Sequence, residues 1–272
     1  MVETSISGAP SAARAAPLIS EGSRDVLWVL ASAALAIALW QGSIVVFRPP
    51  AYILPAPWDV LVRTWTDRGL LLSHGVSTMG EILVGLFLSI IVGIPLGISI
   101  VAIPIVQRLV YPIVIAFNAI PKVALAPLFV VWFGYGFLPR VLITSSIAFF
   151  PILVATVSGL MAIEPDLLRL AAVMRAKKSR IFLHMRLPQA MPSITAGVKI
   201  ATSLAVIGGI IGEFVASDRG WGFLLVQASG SLDTTIMFSI VIILAVVASL
   251  LFWLIAIAEK YLVSWHASQR TR

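Results

Sequence analysis

The sequence predicts an all-α fold, a polytopic membrane helical bundle with six transmembrane helices. Three observations predict it. Of 272 residues, 60% are hydrophobic and only 11% charged, too little polar surface to dress a soluble globule of that size. Six apolar runs, 26–47, 76–103, 109–133, 138–162, 190–215 and 234–258, each reach the roughly 20 residues that cross a bilayer core. Lys and Arg also fall unevenly between the two sets of connecting segments. The side holding both termini carries 12 (Arg14, Arg24, Arg108, the six between Arg169 and Arg186, Lys260, Arg270 and Arg272), against 5 on the other (Arg48, Arg63, Arg68, Arg140 and Arg219). Positive residues favour the cytoplasm during insertion, so both termini and the 163–189 loop are expected there.

The net charge of +7 therefore reports topology, and no nucleic-acid partner is expected. The chain has no cysteine, which excludes disulfides, thiolate metal sites and a cysteine nucleophile. His74, His184 and His266 show no metal-ligand spacing, so no metal is expected.

Residues 1–25, rich in Ala, Ser, Pro and Gly, read as a disordered cytoplasmic tail, and 263–272 as a second. Residues 26–75 hold the first transmembrane helix and an external segment whose prolines break any helix until Pro57. Beyond it Trp58, Leu61, Val62 and Trp65 share one face of a short helix at the outer interface. Residues 76–262 form the core domain, with an inserted helical segment at 164–187.

Pro112, Pro121 and Pro127 break the third run, which also carries Asn118 and Lys122. A lysine at that depth is costly, so it either lines a protein or water-filled path or snorkels toward the headgroups. Asn118, Lys122 and Glu213 are the candidates for lining a path. Glu81 and Glu213, near the outer ends of the second and fifth runs, read mainly as bundle-facing hydrogen-bond partners, and Lys199 as a snorkelling residue. Pro95 and Pro151 are expected to act with Pro121 and Pro127 as bending points. In the loop after the fifth run, glycines flank Trp221 and Phe223, as in a tight external loop whose rings meet a mouth or a partner, or anchor at the interface.

The segment 163–189 has six positive charges and a pattern of two short helices. Pro165 and Asp166 suit a helix start, and Leu167, Leu168, Ala171, Ala172 and Met174 can form an apolar patch. Ser179 is expected to cap a second helix, and Pro188 to force Leu187 out of helical geometry. Such a knob either docks a partner or lies on anionic lipid. The alanine pair favours docking, because small side chains let a helix sink into a groove.

Here the chain resembles the permease subunits of bacterial ATP-binding-cassette importers, in the nitrate, sulfonate, taurine and pyrimidine-precursor branch. That family's cytoplasmic signature runs Glu-Ala-Ala, three residues, Gly, nine residues, Ile-x-Leu-Pro. Counted back from Leu187 and Pro188, the Ile position falls on Met185, the Gly position on Arg175, and Glu-Ala-Ala on Arg169, Leu170 and Ala171. The spacing, Leu-Pro and one alanine match, while arginines stand where the family has Glu and Gly. ILPAPWDVL, NAIPKVALAPLFVVWFG, FFPILVATVSGL and IGEFVASDRGWGFLL are similar to the same branch.

The resemblance implies a type I importer permease fold in the bacterial inner membrane, two permease copies, two ATP-binding subunits, and a periplasmic or lipid-anchored substrate-binding protein. It places ATPase coupling on Leu168, Arg169, Ala171, Ala172, Arg175, Leu187 and Pro188, with ATP and magnesium on the partner and no cofactor on this chain. The absence of any Gly-Lys dipeptide, hence of a Walker A loop, agrees with that division of labour. The rival reading, an ion-coupled secondary transporter, needs a relay of intramembrane acids. Only Glu81 and Glu213 are available for it.

Overall fold

The structure is a computed structural model that describes residues 21–262. The expected tails lie largely outside that range, although α1, Glu21–Phe47, begins inside the segment read as the first tail. The chain divides into two units, Met1–Pro50 and Ala51–Arg272. Helix α1 belongs to the first, and its stretch Leu30–Phe47 is long and apolar enough to cross a membrane.

The second unit holds α2 (Pro57–Thr66), α3 (Arg68–Ala102), α4 (Pro104–Ala119), α5 (Lys122–Phe133), α6 (Phe137–Met161), α7 (Pro165–Val173), α8 (Lys178–Ile181), α9 (Leu187–Ala216), α10 (Trp221–Gly230) and α11 (Thr234–Leu262). Prolines start α2 and α4, where a missing N–H costs nothing. Helix α2 buries Val60, whose carbonyl accepts from Ser239 Oγ of α11 at 3.3 Å, and leaves Trp58 and Trp65 exposed.

The third apolar run is two helices bent by 100°. Pro121 sets the break: it holds Ile120 in extended geometry (φ −71°, ψ 127°) and cannot continue the hydrogen-bond ladder of α4. Pro112 and Pro127, expected to break the run as well, sit inside α4 and α5. Pro95 and Pro151 likewise lie inside the continuous helices α3 and α6.

Packing pairs decide whether this bent pair crosses the bundle. A Cβ on Gly85, Gly93 or Gly97 would meet Thr144, Ile152 or Thr156, and Glu81 pairs with Arg140, so α3 and α6 keep a constant offset of 59 residues. They run parallel. The chain must therefore return to the starting end between them, and α4 and α5 together make that crossing. Along α6 and α9 the contacts instead run in opposite order, Gly197 against Ala155, Gly208 against Thr144 and Gly212 against Arg140, so that pair is antiparallel.

Close approach explains the tight packing. Gly85, Ser89, Gly93 and Gly97 recur every fourth residue of α3 and form a stripe of small side chains facing α6. Ser89 Oγ donates to the Ser145 carbonyl at 3.0 Å, which closes the seam with a hydrogen bond. Ile82, Ile152, Ala201 and Leu251 bring α3, α6, α9 and α11 into one core.

At the basic end, α7 stops in a left-handed turn. Arg175 has φ +52°, and the Ala176 N–H donates to the Ala171 carbonyl at 3.0 Å, the six-to-one bond of a Schellman motif. Ser179 does not cap α8: the cap position is Lys177, and no side chain caps it. Leu187 is also helical (φ −64°, ψ −48°), contrary to the sequence expectation. A π-helical turn, Phe182–Arg186, lets the Leu187 N–H donate to the Phe182 carbonyl, and this widened turn carries the helix past Pro188.

Candidate functional site

The bend between α4 and α5 opens a cavity of about 380 Å³ against α3 and α6. Asn118 and Lys122, two of the three expected path residues, both line it, with Phe117, Phe129, Phe149 and Phe150. Lys122 Nζ donates to the Asn118 carbonyl, to Asn118 Oδ1 at 2.9 Å and to the Phe117 carbonyl at 3.5 Å. The ammonium thus closes the C-terminal end of α4, where the last carbonyls lack helical partners. It also lies 5.8 Å from the centre of the Phe150 ring. Ser145 and Ser146 add hydroxyls to the wall.

Glu213, the third expected path residue, lies elsewhere. Its side chain is buried between α3, α9 and α10: Oε1 accepts from Thr78 Oγ1 at 2.6 Å and Oε2 from the Gly222 N–H at 2.5 Å. Beside it, Arg140 donates to Glu81 Oε1 at 2.5 Å, to Ser217 Oγ at 2.7 Å and to the Gly136 carbonyl at 2.8 Å. Counted by sequence as a loop charge, Arg140 is 5% exposed. Two carboxylates and one guanidinium thus tie the start of α6 and the entry of α10 to α3. The signal was present as one arginine at the end of an apolar run among two bundle-facing acids, but pairing across 59 residues needs the helix register.

Trp221 is not a ring offered to a mouth. It is buried, its N–H donates to Thr78 Oγ1 at 2.9 Å, and its indole Nε1 donates to the Leu71 carbonyl at 2.8 Å. Phe223 is partly exposed and stacks on His74 with ring centres 6.1 Å apart. The Gly220 N–H donates to His74 Nδ1 at 2.9 Å. The loop is a latch on α3.

Lys199 likewise has a partner. It pairs with Glu259 of α11, which also accepts from Thr195 Oγ1 at 2.9 Å.

The inserted helices sort the expected coupling residues into two groups. Ala171 is buried within the chain's own fold, so it is unavailable to a partner's groove, and Leu187 packs with Leu160, Ala190 and Ile194 at the base. Arg169 and Arg175 are exposed, the former paired with Asp166 at 3.1 Å. Leu168 lines a second cavity with Val101, Phe182 and Arg186. Pro188 continues the base of α9, and Ala172 lies in α7. The apolar surface offered there is Leu170 and Val173 of α7 and Met174 just past its end, 57%, 81% and 73% exposed.

Comparison with known proteins gives a consistent picture. Residues 85–263 match the family described as binding-protein-dependent transport system inner membrane component. The chain is 34% identical to the formylaminopyrimidine transport permease protein ThiX of Halalkalibacterium halodurans, over 86% of this chain and 93% of that one. It is 35% identical to the riboflavin transport system permease protein RibX of Chloroflexus aurantiacus, over 86% and 88%. Among solved structures, an inward-facing MetNI methionine ABC transporter chain shares the fold, with a TM-score of 0.59, 22% identity, and 73% of this chain and 97% of that one covered.

Proposed function

The chain belongs to the family of binding-protein-dependent transport system inner membrane components, and from that premise we propose how its parts divide the work of import. It is a multi-pass inner-membrane permease subunit of an ABC importer for a small solute, with ATPase activity in partner subunits and a substrate-binding protein as a further partner. In the proposed assembly two copies of the chain face each other across the α4–α5 bend, and the cavity there forms part of the path. One ATPase subunit docks on α7 of each copy, which places the basic end and both termini in the cytoplasm. The similarity to formylaminopyrimidine and riboflavin permeases supports a small solute of that kind as cargo.

The observation that carries the docking assignment is the exposed apolar edge Leu170 and Val173 of α7, continued by Met174 just past its end. The Schellman turn at Arg175 ends the helix, and Ile163, 7% exposed, is buried just before it begins. Motion of the docked ATPases then passes through the π turn into α9 and tilts the bundle as a body. Co-purification with the ATPase subunit tests this. Leu170→Asp and Val173→Asp are expected to abolish the complex while the chain still inserts, and Ala171→Ser to retain it. Retention in both aspartate variants overturns the assignment.

The cytoplasmic placement rests on the charge asymmetry and has its own test. Because the chain lacks cysteine, Ser179→Cys introduces a single thiol. Its labelling by a membrane-impermeant maleimide in intact cells would overturn the orientation, and protection until lysis supports it.

A further inference from the structure

We infer that the cavity at the α4–α5 bend takes a planar aromatic or heteroaromatic solute, not a small hydrated anion, an inference that rests on the permease reading above. Four phenylalanine rings from three helices, Phe117, Phe129, Phe149 and Phe150, surround about 380 Å³. That volume suits a small organic ligand.

The Lys122 ammonium keeps its positive charge, but its donors already face protein acceptors. Lys122 has three ammonium protons and three acceptors at the end of α4, the carbonyls of Phe117 and Asn118 and the Asn118 side-chain oxygen. Of the hydroxyls, Ser146 Oγ donates to the Ile143 carbonyl at 2.8 Å, while Ser145 Oγ lies 3.3 Å from Ser89 Oγ as an acceptor and keeps its own proton. A nitrate or sulfonate entering here would give up its hydration for a mostly apolar wall with few donors to replace it, which disfavours it. A flat ring loses little water and gains offset or edge contacts with the phenylalanines. Asn118 lines the cavity, and its amide nitrogen makes no hydrogen bond among the described residues. It is the donor that a ring nitrogen or carbonyl can use, so the wall favours heteroaromatic over plain hydrocarbon rings.

The test uses the whole importer, this chain with its ATPase subunits and binding protein, in proteoliposomes. ATP-driven uptake is measured for four probes: riboflavin, a substituted aminopyrimidine, taurine and nitrate. Uptake of one of the first two and neither of the last two is expected. Phe129→Leu and Phe150→Leu, which keep an apolar side chain of similar bulk, are each expected to cut uptake of the aromatic probe about fivefold. Asn118→Ala is expected to raise KM more than it lowers the maximal rate. ATPase co-purification of each variant confirms assembly. Uptake of taurine or nitrate, uptake of none of the four, or aromatic uptake unaffected by either phenylalanine change overturns the inference. Failure of the unaltered chain to retain its ATPase subunits would instead sink the docking proposal, so the two failures are distinguishable.

Discussion

Arg140 Nη1 lies 2.5 Å from Glu81 Oε1, with the arginine side chain 6% exposed and the glutamate fully buried. The pair locks α6 to α3 at the register where their small residues interlock. Glu81 Oε2 has no hydrogen-bond partner among the described residues, so this carboxylate depends heavily on the guanidinium for compensation. Arg140→Leu is expected to destabilise the protein by about 3–5 kcal/mol, because it strands a buried charge. Glu81→Gln added to that variant should recover a substantial part. Thermal unfolding in detergent reads both, and equal melting of the single and double variants would contradict the pairing argument.

Gly220 and Glu213 are bound by shape. Gly220 has φ +114°, and a Cβ there would fall inside the Glu213 carboxylate. Gly220→Ala should therefore detach the loop before α10 and cost more than Glu213→Gln, which keeps the shape and loses only charge-assisted bonds worth about 1.5–3 kcal/mol. The order of melting temperatures checks this, as does proteolysis at the exposed Arg219. Glu213→Gln should leave that bond more resistant than Gly220→Ala does.

Two helical glycines are predicted to respond oppositely to alanine. At Gly208 the added Cβ would lie 2.8 Å from the Thr144 Cα, which is backbone and cannot swing aside. Gly208→Ala is expected to cost about 1–3 kcal/mol by pushing α9 from α6. At Gly80 the nearest atom is a Phe137 ring carbon at 3.7 Å, an ordinary contact, so Gly80→Ala should gain up to about 1 kcal/mol of helix propensity. Thermal melts of the two variants that move in the same direction would refute the packing account.

Arg175 occupies a left-handed turn that glycine adopts more cheaply. Arg175→Gly should stabilise the α7 turn by about 1 kcal/mol, and Arg175→Val should weaken it. Amide exchange at Ala176, whose N–H closes the turn, is expected to slow in the first variant and quicken in the second. Faster exchange in the glycine variant would show that the arginine side chain, not its backbone, holds the turn.

These predictions concern residues whose importance the sequence revealed unequally. Apolar runs were enough to locate the candidate membrane-crossing segments, because bilayer thickness imposes a length on any chain. The prolines of the third run likewise announced a break beside Asn118 and Lys122, although only Pro121 makes one and Pro112 and Pro127 stay inside helices. The spacing that ended at Leu187 and Pro188 put a glycine-type position on Arg175, and the structure supplies the positive φ that explains it.

What the one-dimensional pattern could not show is direction and partnership. Glu213 is the bundle-facing hydrogen-bond partner its position suggested and not the path residue it was also a candidate for, while Trp221, read as meeting a mouth or partner or anchoring at the interface, is buried against α3. Ala171 looked like a docking surface and faces inward, leaving that role to Leu170, Val173 and Met174. Lys199, read as a snorkelling residue, and Arg140, counted as a loop charge, have carboxylate partners 60 and 59 residues away. Composition and local backbone chemistry determine which segments are helical and buried in lipid, whereas which side of a helix meets another depends on register between distant segments. That register is set by the close approach of small residues across α3, α6 and α9, an interaction that exists only once all three helices are in place.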